Sequence, residues 1–349
     1  MTIISNRING FFDFKFAYMR FKSNRRAYFS LWLFAIIFFI SQFAELISND
    51  KPLLLYYKDE LLFPIFEEIR EIDIGGDYLN SANFNDPYVK ELVAANGFAI
   101  MPIIPYHYKT IMDNLPSPAP SPPSKDNLLG TDDNGRDIFA RLIYGVRISI
   151  TFALILAALS TAIGLIYGAC QGYIGGKTDI VMQRFSEVWS SLPTLYILII
   201  LSSLIAPSFM WLLFIMLLFS WLNLVGVVRA EFLKARNMEY VMAAKALGIS
   251  HIRIVFRHIM PNALVASITY FPFLINAGIT SLTALDFLGL GLPPGSPSLG
   301  EMLSQAKNNL HAHWIISSVF ITLTGVMVLM IFIGEGLRDA LDPRREKFR

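Results

Sequence analysis

The sequence predicts an all-α integral membrane protein with six transmembrane helices and one extramembrane insertion between helices 1 and 2. Three observations predict it. Apolar residues make up 54% of the 349 residues and charged residues only 16%, against about 25% charged in an ordinary soluble domain. Uncharged apolar runs of 18 to 41 residues recur along the chain. The polar segments between them differ in sign of charge, as the two sides of a membrane require. This composition, with a mean hydropathy of +0.50, excludes a disordered chain and an ordinary soluble enzyme. The net charge of +2 is too small to suggest nucleic acid, and the single cysteine, Cys170, excludes an internal disulfide framework or a cysteine zinc cluster.

Residues 1–26 form a basic N-terminal segment, with six Lys and Arg against Asp13. Its Phe11, Phe12, Phe14, Phe16 and Tyr18, interleaved with Lys15 and Arg20, fit an interfacial segment or a floppy basic tail equally well. The first span is assigned to 27–47, on the uncharged run Ala27–Ala44. At 1.5 Å per residue this run just crosses a hydrocarbon core of roughly 30 Å. A cleaved signal peptide is the competing reading. The long leader and the lack of an A-x-A site favour an uncleaved anchor.

Residues 48–127 carry 6 Lys and Arg against 12 Asp and Glu, a net of −6, and Pro116 to Pro123 predict a stiff linker at the end of this insertion. Residues 128–336 hold five further spans. Ile148–Cys170 is the second. The 41-residue run Val188–Val228 is roughly 60 Å as one helix, too long for one crossing. Pro207 and Ser208 divide it into Val188–Ile205, kinked at Pro193, and Phe209–Val228. Ala263–Leu285 and Trp314–Ile333 complete the set, and 337–349 is a short charged tail. The loop 229–262 has net charge +4. With six crossings and a cytoplasmic start, that loop and the tail lie inside and the −6 insertion outside.

Catalytic constellations are weak. Gly176-Lys177-Thr178 resembles the end of a phosphate-binding loop, but position 171, where that loop needs glycine, is Gln171. His311 and His313 do not share a helical face; His251 and His258 do, but lack further ligands. Ionisable groups stand only at span ends: Glu45, Asp286 and Glu335. The uncharged polar positions Ser160, Thr161, Ser202, Ser203, Ser220, Asn223, Thr280, Ser281 and Thr283 fit either a polar path or interhelical hydrogen bonds.

The stretch Tyr240–Asn262 is the most informative. Ala243, Ala244 and Ala246 favour a short helix, Gly248 a turn, and Pro261 the first turn of the next element. Small side chains there let a partner's backbone approach. This stretch resembles the EAA signature of permease subunits in bacterial ABC importers: Ala243, Ala244, Gly248, Ile259 and Pro261 match. Met242 stands where Glu is usual and Met260 where Leu is usual. The segment Asn127–Ile150, with Gly130, Thr131, Asp132, Gly135, Arg136 and Asp137, resembles the G-T-D-x-x-G-R-D segment of the oligopeptide/dipeptide/nickel permeases. Phe287–Pro294 and Gly336–Arg344 resemble its C-type half. The long insertion resembles the microcin C/oligopeptide, Yej-type subgroup.

The resemblance implies a type I ABC importer permease fold in a bacterial inner membrane, both termini cytoplasmic. It implies a heterodimer with a second permease, two ATPase subunits or one fused ATPase, and a periplasmic binding protein that delivers a peptide-like substrate. No cofactor is expected on this chain; ATP and Mg belong to the ATPases, and membrane lipid surrounds the spans. The loop around Met242–Gly248, with Ile259 and Pro261, would be the coupling helix that docks in an ATPase. The Gly130–Asp137 segment pairs locally, bridges to the partner permease at the outer mouth, or is a solvated turn. The insertion is expected to contact the binding protein or the partner permease. A self-sufficient secondary transporter or channel is the alternative; it predicts intramembrane charge and inverted repeats. A membrane enzyme predicts paired carboxylates or a nucleophile beside a base.

Overall fold

The computed structural model describes residues 14–112 and 115–341; Arg7, Phe11, Phe12, Asp13 and the tail beyond 341 lie outside them. Helix α1 (Phe14–Ser23) buries Ala17 and Phe21 and exposes Phe16, Tyr18 and Met19. Asn24 caps α2 (Arg25–Gln42), accepting from the Ala27 N–H. A single turn, α3 (Ala44–Ile47), follows.

The insertion is not helical throughout, which corrects the all-α expectation. Strands β1 (Leu54–Tyr57), β2 (Glu60–Leu62) and β3 (Gly97–Ile100) form an antiparallel sheet in the order β2-β1-β3. Tyr56 lies opposite Leu61 on one side and Phe98 on the other. The two-residue hairpin Lys58-Asp59 has positive φ at both positions, the geometry that matches strand twist. Helix α4 (Pro87–Asn96) packs Val89 and Val93 with Leu55, Tyr57, Ile74 and Phe84 into a separate small core. The Pro-rich stretch is no free linker either. Ser121 is buried and exchanges hydrogen bonds with Thr131, through its N–H to Thr131 Oγ1 at 2.8 Å and its carbonyl to the Thr131 N–H at 2.9 Å.

The bundle is built from α5 (Ile138–Ile174), α6 (Gly176–Ser190), α7 (Thr194–Leu204), α8 (Phe209–Ser220), α9 (Leu222–Ala235), α10 (Glu239–Ala246), α11 (His251–Ile254), α12 (Met260–Phe287), α13 (Leu299–Asn308) and α14 (His313–Leu341). Residues Val255–Ile259 form a π-helical turn joining α11 to α12. Pro261 follows it; lacking an N–H, it interrupts the regular ladder there. Four continuous stretches are long and apolar enough to cross a membrane: Ile138–Ile174, Phe209–Ala235, His251–Phe287 and His313–Leu341. The first and third expected spans take other forms. The first is the 18-residue α2, which opens with two arginines. The third is broken at Pro193 between α6 and the 11-residue α7, a full break where a kink was expected. The expected break before Phe209 is present, with the Ser208 side chain capping α8.

Glycines set how the helices pack. Gly164, Gly168 and Gly172 recur every fourth residue of α5 and face Leu224, Val228 and Phe232 of α9. Both series rise together, so α5 and α9 run parallel and in close contact, as small residues permit. Phe209, at the head of α8, meets Phe152 of α5 at 5.4 Å between ring centroids. From Phe152 to Gly172 is about 30 Å along a helix, so residues 175–208 return the chain over that height. Gly278 of α12 faces Ala153, and Ala263 shares a core with Ala169 and Phe232, making α12 antiparallel to α5. Gly334 of α14 faces Phe273, and Gly336 faces Ala27 of α2. The described termini therefore lie at the same end of the bundle as α10, and the sheet subdomain lies at the other.

Candidate functional site

Helix α10 is anchored by one face only. Val241 and Ala244 are buried with Phe232, Ile254, Ile259 and Ala263. Gly248 closes the helix with φ +74°. The Gly248 N–H donates to the Lys245 carbonyl at 3.0 Å and the Ile249 N–H to that of Ala244 at 3.1 Å, the two bonds of a Schellman cap. Tyr173, near the end of α5, meets His251 Nδ1 through its hydroxyl at 2.7 Å, and Lys245 lies over the Tyr173 ring. Arg229 grips Asp179 with Nε and Nη2 at 2.6 and 2.8 Å and holds that carboxyl below its ordinary range, tying α6 to α9. The loop is thus a rigid projection from the bundle.

The six residues expected to couple divide in two. Met242, Ala243 and Gly248 lie on the open surface. Ala244 and Ile259 are buried, and Pro261 is half-buried at the start of α12, so these three hold the loop's shape. Sequence reasoning missed the most exposed apolar side chains on that surface: Leu247, 79% exposed, Ile252, 74%, and Phe256, 66%. Their signal was there to find, because they fall out of phase with the buried Val241, Ala244, Ile254 and Ile259. Lys245, Arg253 and Arg257 stand among them, giving an apolar surface with a basic rim.

The Gly130–Asp137 segment is a buried joint, and the solvated-turn reading fails for all but Asp133 and Asn134. Asp132 Oδ1 accepts from the Asn134 and Arg136 N–H groups at 2.9 Å each; Oδ2 accepts from Arg136 Nε at 2.8 Å and from Arg141. Arg141, fully buried and not singled out from sequence, reaches on to the Ser296 carbonyl at 3.2 Å and Glu301 at 3.0 Å on α13. Asp137 caps α5, accepting from the Ala140 N–H at 2.8 Å and from Asn127 Nδ2 at 2.9 Å, and burial raises its pKa. Trp314 donates to the Thr131 carbonyl. Gly130 and Gly135 supply positive φ, and a Cβ on Gly130 would crowd the Ser121 carbonyl and the Trp314 ring. The segment therefore fastens the heads of α5, α13 and α14 together.

Between these two ends a cleft of about 430 Å³ opens among α5, the α6–α7 break, α8, α9 and α12. Of the polar positions named from sequence, Ser160, Ser220, Asn223 and Ser281 line it, and Ser190 and Thr194 join them. No charged side chain lines it. Thr280 instead donates to the Asn276 carbonyl within its helix, Thr283 is buried, and the side chains of Ser202 and Ser203 lie outside the described set. Glu45 pairs with Arg147 at 2.8 Å, and Asp286 accepts from Ser298 and from the Leu292 N–H, so both acids are engaged at helix ends. Among the described residues no group of three or more His, Cys, Asp or Glu is placed to hold a metal.

Residues 160–347 match the family model of the binding-protein-dependent transport system inner membrane component, and residues 14–62 that of the N-terminal TM domain of oligopeptide transport permease C. The chain is 50% identical over 326 residues to the inner membrane ABC transporter permease protein YejE of Escherichia coli (strain K12), covering 93% of this chain and 96% of that one. It is 48% identical over 352 residues to the peptidoglycan transport system permease protein YejE of Agrobacterium fabrum (strain C58), covering 94% and 92%. To the oligopeptide transport system permease protein OppC of Bacillus subtilis (strain 168) it is 36% identical over 234 residues, 66% of this chain and 75% of that one.

Proposed function

This chain belongs to the family of binding-protein-dependent transport system inner membrane components, and we propose from that premise how its parts serve transport. It is the inner-membrane permease of an ABC importer of the OppC type, Yej subgroup, with ATP hydrolysis in partner subunits. Its cargo is a peptide or a peptide-like wall fragment, a reading that rests on the names of the relatives. The cleft is this subunit's half of the path, completed by a second permease. Its hydroxyls and the Asn223 amide offer hydrogen bonds to a peptide backbone, and its lack of charge lets side chains of either sign pass.

The loop Glu239–Pro261 is the lever. Its apolar, basic-rimmed surface docks in a groove on an ATPase, and ATPase closure moves it with the helices to which Ala244 and Ile259 bind it. That exposed surface on a rigid mount is the observation that carries the reading. Six crossings with both termini cytoplasmic agree with the parallel α5–α9 pair, the return of 175–208, and the +4 loop. The sheet subdomain then faces the binding protein.

The test is purification of the chain from its own membranes in mild detergent, with mass spectrometry of what comes with it. Recovery of a second permease and an ATPase is expected. A stable chain recovered alone would favour a self-sufficient transporter.

A further inference from the structure

The polar side chains that line the cleft divide by what they already bond. The Ser160 and Ser220 hydroxyls meet at 2.5 Å, and the Ser190 hydroxyl donates to the Glu187 carbonyl at 3.0 Å. Among the described residues, the side chains of Thr194, Asn223 and Ser281 have no hydrogen-bond partner. Asn223 is the one amide of the three and is exposed. It stands three residues after Ser220, within the apolar run Phe209–Val228, about 9 Å along the helix from the charge of Arg229. At that depth hydrocarbon gives an amide nothing to bond, and an unbonded amide is strongly disfavoured. Its Nδ2 donors and Oδ1 acceptor therefore address the contents of the cleft. No charged side chain lines the cleft to bias what enters it.

We propose that Asn223 determines the charge selectivity of the path. The inference rests on reading the cleft as this subunit's half of that path. A peptide carries an ammonium at one end and a carboxylate at the other, besides its charged side chains. The Asn223 Oδ1 accepts from an ammonium and its Nδ2 donates to a carboxylate, so the position repels neither. A carboxylate at 223 would repel anionic cargo and hold cationic cargo, and an ammonium there would do the reverse. With no second charge in the cleft, nothing on this chain offsets either change.

Uptake of a random short-peptide library by proteoliposomes holding the assembled importer tests this, at about pH 8, above the ordinary carboxylate range. Mass spectrometry of the imported peptides gives the ratio of Lys- and Arg-bearing to Asp- and Glu-bearing sequences. Dividing each variant's ratio by that of the unaltered importer cancels the binding protein's own preference. Asn223→Asp is expected to raise the ratio roughly three- to tenfold, and Asn223→Lys to lower it by as much. No shift in either variant, or shifts of the same sign, would overturn the proposal. So would loss of the second permease from Asn223→Leu, which would assign the amide to a bond between subunits. Ser281→Trp places a bulky ring in the cleft and should stop uptake while the second permease stays bound. Normal uptake by that variant would remove the path reading and the proposal with it. Blocked uptake there, with flat ratios in the Asn223 variants, would remove the charge selectivity alone.

Discussion

Gly168 of α5 lies directly against Val228 of α9: a Cβ on the glycine would stand 2.8 Å from the valine Cβ and 3.0 Å from the Val225 carbonyl. This approach is what lets two parallel helices pack along their backbones. Gly168→Ala is expected to lower stability by about 1–3 kcal/mol through overpacking, although alanine is the better helix former. Gly226→Ala on α9 is the control, because nothing lies within 4 Å of its Cβ position. Thermal unfolding midpoints in one detergent should fall for the first variant and hold or rise for the second. Equal midpoints would remove the close-packing explanation.

The joint built on Asp132 makes a second prediction. Arg141 is fully buried, and its guanidinium compensates Asp132, itself fully buried. Arg141→Ala leaves Asp132 paired with Arg136 alone and takes a buried donor from the Ser296 carbonyl and Glu301, an expected loss of about 1–3 kcal/mol. If the Asp132 contact dominates, Asp132→Asn should cost less in the Arg141→Ala background than in the unaltered chain. Denaturant unfolding of the two single variants and the double variant checks this; strictly additive losses would show that Arg141 acts through Ser296 and Glu301 on α13 instead.

Two carboxylates outside the spans should respond to pH with opposite sign. Arg229 lowers Asp179, so that group's stabilising contribution is full above its ordinary value of 3.8 and is lost as pH falls through its lower folded value. Burial raises Asp137, so its contribution is full below 3.8 and is lost as pH rises through its higher folded value. Asp179→Asn should therefore destabilise at neutral pH, with the deficit shrinking in acid. Asp137→Asn keeps a capping oxygen and should gain at neutral pH, with the gain shrinking in acid. Midpoints measured at about pH 7 and about pH 3 give both differences; slopes of the same sign would contradict the assignment.

How much of this was legible in the sequence varies with the physics. Long apolar runs announce α5, α12 and α14, and Pro207-Ser208 and Gly248 announce a break and a turn because their backbone chemistry is local. The subdomain sheet was hidden: its strands are three or four residues long, and Leu54-Leu55-Tyr56-Tyr57 is apolar on both faces, so no alternation marks it. Arg141 was hidden for another reason. Its partner Glu301 is 160 positions away, and only the folded chain brings them together. The residues proposed to couple were half legible, since a signature fixes positions but not which side chains point outward.

The subdomain is self-contained, and that yields a prediction. It has its own core, and its ends meet where Ser48 pairs with Ile104 and the Ser48 hydroxyl donates to the Tyr106 carbonyl at 2.7 Å. Replacing residues 50–103 with a short glycine-serine linker should leave the bundle folded and able to join its partners. A wider excision that takes in Ser121 would instead remove the residue that holds Thr131. If the subdomain receives the binding protein, the excised chain should lose binding-protein capture in a detergent pull-down while keeping the second permease. Undiminished capture would assign it another role.

The proposed docking surface gives the sharpest test. Leu247 and Ile252 are more than 70% exposed, so charging them leaves the fold's core untouched. In the assembled importer each would sit in a desolvated groove, where burying an unpaired carboxylate costs several kcal/mol. Leu247→Asp and Ile252→Asp are therefore expected to insert and unfold like the unaltered chain, and to lose ATPase co-purification and transport. Ala244→Trp is a poorer probe, because Ala244 is buried against Val241 and Ile254 and a tryptophan there disrupts the loop itself. Gly248→Leu meets open space but must hold φ near +74°, which costs about 1–2 kcal/mol in backbone strain. It should weaken the Schellman cap and reduce coupling without abolishing assembly. Normal ATPase recovery with both aspartate variants would move the docking surface away from Leu247 and Ile252.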